Sequence, residues 1–336
     1  MVLTDEEQPL LRILSIPGDS ADGVKHDEVI LDFEPLDPEN PRNWTSSFKR
    51  FIVLLLALMA FTVTFTCVGV VPVASKIVED LDGKHAPSST SALLVTIWEL
   101  GEAAGPLFIA PLSEVFGRYP VMNICNLGFI TATILAVSSQ NSKLFIVARM
   151  LTGVTVASNV LNPAIIGDMF ESEERGSAMS LVMLAPLIGG AIGPAISGTI
   201  AQTMGWREIL IIAIGLAVVC EVLFLTCFRE TYKLAILRRR IARMQQESGE
   251  SRHPSKTKTK HEHVLKLWHS MTRPFAVLFG SSVLMLVSLF ASVAFSFFYV
   301  ISISLPNILK DVYGFTPAQI GSAFMSFSKQ LSCDSV

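Results

Sequence analysis

The sequence predicts an all-α polytopic membrane protein, and three observations carry that prediction. Of its 336 residues, 51% are hydrophobic and only 16% are charged, where soluble domains carry about 25% charge. The mean hydropathy is +0.52. Seven separate apolar stretches, 51–72, 91–113, 121–138, 144–166, 177–200, 208–228 and 275–298, each approach the ~20 residues that cross ~30 Å of hydrocarbon as a helix.

The elements follow in order. Residues 1–50 form a cytoplasmic tail without a signal peptide. Its first 42 residues are polar and acid-rich, and burial gains too little there to offset ordering entropy, which predicts a mostly disordered segment. Six spans then fill 51–228. Pro106, Gly190 and Pro194 inside them are compatible with membrane helices, where they would count against soluble ones. The third stretch is short and is expected to extend into its flanks. Residues 229–273 hold 12 Lys and Arg against 4 Glu, a net of +8. The seventh span opens an incomplete region, 274–336. An eighth helix begins near Pro317, and apolarity breaks after Phe327.

The basic segment sets the orientation. Placed inside the cell, it puts the N-terminus and the turns around Arg118 and Arg175 inside too. Lys76, Lys84, Lys143, Arg207 and Lys310 then fall on outer connections, including 299–316, a weaker contrary signal. The sequon Asn43-Trp44-Thr45 lies on the cytoplasmic side and is expected to stay unmodified. Within the basic segment, Leu234, Ile236, Leu237, Ile241 and Met244 interleave with Arg238, Arg239, Arg240 and Arg243. Two readings stand: a helix lying on anionic lipid, or a solvated linker.

Membrane-depth charge is the main functional signal. Arg149 lies in the fourth span, and Glu99 and Glu102 lie in the second. Such charges must face a cavity or a partner. At 1.5 Å per residue, Glu99 lies roughly 12 Å and Arg149 roughly 8 Å below the same surface, depths that permit a pair. One reading makes a carboxylate a proton carrier, tuned by desolvation and by Arg149. The other makes the pair a fixed brace. Asn159 and Asn162 line a polar path or bridge helices. Trp98 stacks on cargo or simply packs. Glu221, deeper in the sixth span, reads as structural.

Two further patterns involve backbone. In the fifth span Gly189, Gly193 and Ser197 form one four-residue row, and Gly190, Pro194 and Gly198 form another, which lets helices approach closely. Pro194 also removes a helix hydrogen bond and permits a kink. Between the second and third spans, Gly117 permits a tight turn. Arg118 there is within reach of Asp168 as a conformational latch, or is an ordinary positive-inside charge.

These motifs together resemble a known family. Pro111-Leu112-Ser113-Glu114-Val115-Phe116-Gly117-Arg118-Tyr119 is similar to the signature loop after span two of the major facilitator superfamily, in the form common among fungal drug:proton antiporters with twelve spans. Pro111 stands where the general pattern has glycine, and Val115 and Tyr119 stand at basic positions. Arg149 with Gly153 resembles the span-four motif linked to proton coupling. Gly189 with Gly193, Pro194 and Gly198 resembles the span-five antiporter motif. Asp37 to Trp44, and Gly205-Trp206-Arg207, resemble the subgroup's pre-membrane and pre-span-six sequences.

The resemblance implies a complete N-terminal six-helix lobe plus the start of a C-terminal lobe, working by alternating access. It implies proton-coupled export of small organic compounds or drugs, with Glu114, Gly117, Arg118 and Asp168 as the latch. Spans nine to twelve are absent from this sequence, so the polypeptide as written is expected not to transport. Uptake of a solute such as a polyamine or sugar, a seven-span receptor, and a fragment acting on a full-length carrier are the alternatives. No Walker loop, catalytic triad or metal cluster is present; His261 and His263 lie in the polar linker. The expected partners are a small-molecule substrate and the lipid bilayer, with no nucleic acid and no cofactor, and a proton gradient as driving force. The plasma membrane is preferred over the vacuolar membrane. Oligomeric state stays open.

Overall fold

The computed structural model describes residues 33, 37–83, 87–247 and 277–323. Among them, seven helices are long and apolar enough to cross a membrane: Ser46–Asp82, Ser89–Phe116, Arg118–Val137, Ser142–Met169, Ser172–Thr203, Trp206–Cys227 and Ser282–Asp311. They are numbered here as the first to seventh spans. No strand occurs among the described residues. The all-α polytopic prediction holds.

The first six spans pack as a bundle. The first lies on the fifth and sixth, the second and third lie on the fourth, and the third lies on the sixth. Two buried apolar clusters fill it. One gathers Ile52, Leu56, Trp98, Phe129, Leu161 and Phe224. The other gathers Phe65, Ile77, Leu94, Phe145, Trp206 and Leu210. Leu54, Ile124, Leu187 and Val219 point outward and are exposed, as lipid-facing positions must be when the surrounding solvent is hydrocarbon.

Three spans depart from the boundaries read in the sequence. The first runs on past residue 72, through a 3-10 turn at Val71–Val73 into the helix Ala74–Asp82. The fourth is broken into Ser142–Val154 and Ser158–Met169. Near the break Thr152 Oγ1 donates to the carbonyls of Ala148 and Arg149, and Thr155 Oγ1 to those of Leu151 and Thr152. Such side chains compete with the helix ladder and bend it. The seventh begins at Ser282, where the Ser281 hydroxyl accepts from Leu284 N, and continues to Asp311. Most of 299–316 is therefore helix rather than an outer loop. Residues 317–323 are helical, as expected for an eighth element.

The segments outside the bilayer are more ordered than the sequence suggests. Residues 37–50, assigned to the tail, contain the 3-10 turn Pro41–Asn43, capped by Asn40, and the start of the first span. Lys233–Glu247 is a helix. Its Leu234, Ala235 and Leu237 are buried against protein. Asp37 accepts a 2.6 Å ion-pair contact from Arg240, and Glu39 one of 3.9 Å from Arg243, tying the pre-membrane segment to this basic helix. The backbone N–H of Glu39 and then the Arg240 guanidinium hold the Asp37 carboxyl below its ordinary range. The remainder of the expected disordered tail and His253, His261, His263 and His269 lie outside the described residues.

Candidate functional site

The second and fourth spans meet backbone to backbone. A Cβ on Gly101 or Gly105 would strike main-chain atoms of Met150 and Val154, and one on Gly153 would strike those of Trp98 and Glu102. This approach brings Trp98, Glu99 and Glu102 beside Arg149. Gly101 was not singled out from the sequence, yet Gly101-x-x-x-Gly105 is the small-residue spacing that marks close helix contacts.

Arg149 is 1% exposed. Its Nη1 donates to the Thr66 carbonyl at 3.0 Å and its Nη2 to the Cys67 carbonyl at 3.1 Å. These carbonyls belong to the last turn of the helix Ser46–Val68, where the next turn supplies no partner. Arg149 thus caps that helix end, and a cation suits it. Its guanidinium carbon sits 4.4 Å from the Trp98 ring centroid. The expected direct Arg149–Glu99 ion pair does not form. Nη1 and Nη2 are spent on backbone and Nε is buried without a hydrogen-bond partner; Cys67 joins the two groups instead, since its thiol reaches Glu99 Oε1 at 3.7 Å.

Glu99 is half-buried, and the Tyr299 hydroxyl of the seventh span donates to the same oxygen at 2.5 Å. Glu102 accepts from Trp98 Nε1 at 2.7 Å and from the exposed Asn159 side-chain amide. Asn162 is buried, and its Oδ1 has no hydrogen-bond partner. Trp98 is 0% exposed and is covered by Arg149 and, edge to face, by Phe129. Its ring is therefore enclosed within the bundle. Glu221 is buried with Oε2 accepting from Asn126 at 2.8 Å.

A second cluster lies at the end of the bundle that carries the basic helix. Arg118 Nε is 3.5 Å from Asp168 Oδ2, its Nη1 donates to Ser113 Oγ, and its guanidinium lies over Tyr232 at 4.8 Å. Burial pushes the Tyr232 hydroxyl up to about 12. The predicted Arg118–Asp168 contact is therefore present. Glu114 is exposed and makes no hydrogen bond or ion pair among the described residues.

The missing carboxylate is Glu230. It accepts from the backbone N–H of Arg118 at 2.7 Å and Tyr119 at 3.4 Å, and from those of Thr231 and Tyr232 at 3.1 and 3.0 Å. Arg239 approaches it at 3.6 Å. It is a carboxylate cap on the third span's N-terminus, supplied from the far end of the sixth span. It also explains Gly117, whose φ is 101° and whose added Cβ would collide with the Glu230 carboxylate. A lone acid just after an apolar span was the only sequence signal.

The two small-residue rows of the fifth span face different neighbours. Gly189 and Gly193 meet Phe61, Thr64 and Phe65 of the first span, and Ser197 meets Gly69. Gly198 meets the Pro317 carbonyl, and the Pro194 carbonyl meets Gly321. Gly190 faces open space. The helix continues across Pro194. At the end opposite the basic helix, Ser75 donates to Asn307 at 2.8 Å and Lys310 lies 4.0 Å from Glu79.

A bundle of membrane-length helices with charges sealed at depth and a polar clamp at one end defines a polytopic helical membrane protein. The chain belongs to the Major Facilitator Superfamily, whose family model matches residues 51–329. It is 32% identical over 304 residues to "MFS transporter fsa7" of Fusarium sp. (strain FN080326), covering 89% of this chain and 59% of the relative. It is 29% identical to "Efflux pump radE" of Floropilus chiversii, covering 90% and 56%. The chain thus spans less than two thirds of the length of these relatives. Among solved structures, a bacterial homolog of the human lysosomal transporter Spinster, inward-facing and unoccupied, superposes with a TM-score of 0.64 at 14% identity over 86% of this chain and 60% of that one. A D-xylose-proton symporter gives 0.57 at 15%, over 84% and 66%. These likenesses show the fold.

Proposed function

We propose that this architecture exports small organic compounds in exchange for protons, with Glu99 as the proton-bearing group. One observation carries the reading. Glu99 sits at membrane depth, and its hydrogen-bond partners are a hydroxyl and a thiol, not the neighbouring arginine. It can gain or lose a proton without breaking an ion pair. Glu102, Asn159 and Asn162 form the polar path beside it, and Arg149 is a fixed brace that holds the first span's broken end against Trp98. Arg118, Asp168 and Glu230 form the latch. The basic end is cytoplasmic by the positive-inside rule, in the plasma membrane. Export rather than uptake is supported by the similarity to the efflux pump radE and by the span-five motif.

The test is flux in proteoliposomes carrying a pH gradient, run on this chain and on a form extended to the length of its relatives. An amphipathic organic dye should move against the proton flow in the extended form. Glu99→Gln should abolish the dependence on the gradient. Unchanged pH-driven flux in that variant removes Glu99 from the mechanism, and movement with the protons establishes uptake.

A further inference from the structure

We infer that Tyr299 is a lock on Glu99: while Glu99 is ionised, their hydrogen bond holds the seventh span against the second, and protonation of Glu99 releases it. The inference rests on the reading of Glu99 as the proton-bearing group.

Among the described residues, the seventh span meets the first six through Ile303, Leu305 and Leu309, which pack on the second apolar cluster, and through polar contacts. Ser302 and Pro306 are its buried residues. Among the described residues its polar ties to the first six spans include Tyr299 to Glu99, Ser75 to Asn307 and Lys310 to Glu79. The last pair is half-exposed on both sides and contributes little, as surface ion pairs do. All three lie toward the end opposite the basic helix. The next helical segment continues the closure there by packing on Pro194 and Gly198.

The charged and titratable groups facing Glu99 are few. Cys67 comes from the first span, Tyr299 from the seventh and Arg149 from the fourth, and Glu102 lies one turn along its own helix. Arg149 is bound to the Thr66 and Cys67 carbonyls, so Tyr299 is the strong donor directly on the carboxylate. A hydroxyl bond to a carboxylate is short and roughly twice as strong as a neutral one. Neutralising Glu99 should shift the balance between closed and open by about tenfold, the difference between a charged and a neutral hydrogen bond. An empty, ionised carrier would then stay shut at this end and would not leak its gradient.

The experiment is disulfide trapping in the 336-residue chain in liposomes, with Ser75→Cys and Asn307→Cys together and each alone as the control. At one fixed pH, Tyr299→Phe should slow cross-linking about tenfold. Glu99→Gln should slow it equally, and adding Tyr299→Phe to Glu99→Gln should change little. As a second readout, modification of Cys67 by an impermeant maleimide should accelerate in both single variants. Their thermal unfolding reports that they still fold. Equal cross-linking in all variants, or multiplicative losses in the double variant, overturns the lock. The two readings separate cleanly: lost Glu99 dependence of flux with intact trapping results removes proton coupling alone, and the reverse removes the lock alone.

Discussion

Glu230→Ala should destabilise the bundle by about 2–4 kcal/mol. The magnitude follows from what the carboxylate holds. It accepts from Arg118 N at 2.7 Å and, less well, from Tyr119 N at 3.4 Å, both at the third span's first turn. Loss of a helix cap costs about 1 kcal/mol, and a hydrogen bond to a charged group is worth about 1.5–3 kcal/mol when its partner is left buried and unmet. Arg239, whose side chain is 52% exposed, adds at most about 1 kcal/mol. The alanine would leave the Arg118 amide without its acceptor beneath a buried side chain. In detergent, the unfolding midpoint should fall by roughly 5–15 °C, since each kcal/mol moves a lobe of this size by a few degrees. Glu230→Gln keeps an acceptor oxygen and should lose less than half as much. Amide hydrogen exchange supplies the local readout, because protection should drop at Arg118 and Tyr119 and along Lys233–Glu247. If the alanine variant unfolds with the wild type and the Arg118 amide stays protected, the cap is not what holds this corner.

Other outcomes follow from the same geometry. Gly190→Ala should be neutral or stabilising by up to about 1 kcal/mol, since nothing lies within 4 Å, whereas Gly198→Ala should expel residues 317–323, and proteolysis of that segment distinguishes the two. Arg149→Lys should cost about 1–3 kcal/mol because an ammonium cannot reproduce the fork to two carbonyls while covering Trp98, which thermal unfolding would detect as a lowered midpoint. The Asp37 carboxyl has a lowered pKa in the folded chain, so its contribution is full above its ordinary value of 3.8 and is lost as pH falls through the folded value. Amide protection factors at 37–50, corrected for the intrinsic pH dependence of exchange, should therefore be flat above pH 5 and fall in acid.

The membrane fold was legible because span length and apolar composition are set by the bilayer itself. The Arg118–Asp168 contact and the two faces of the glycine rows were legible for a similar reason: helical spacing fixes which residues share a side. The partners of Arg149 were not. Its Nη1 and Nη2 go to carbonyls exposed by a helix break after Val68, and no side-chain pattern announces a free carbonyl. Glu230 and Tyr299 were missed because each acts on a residue more than a hundred positions away. The seventh span was placed too early because apolar residues before Ser281 carry the same hydropathy as those after it, while the Ser281 cap decides where this helix starts.

The interruption of the fourth span at 155–157 has a mechanical consequence. One rod bears the guanidinium that seals the first span's open turn; the other bears the aspartate engaged by Arg118. Thr155, Val156 and Ala157 act between them as a knuckle. Tilting at the basic end need not pry Arg149 from its seat, so one membrane crossing can keep a rigid anchor and a movable lever on a single stretch of backbone.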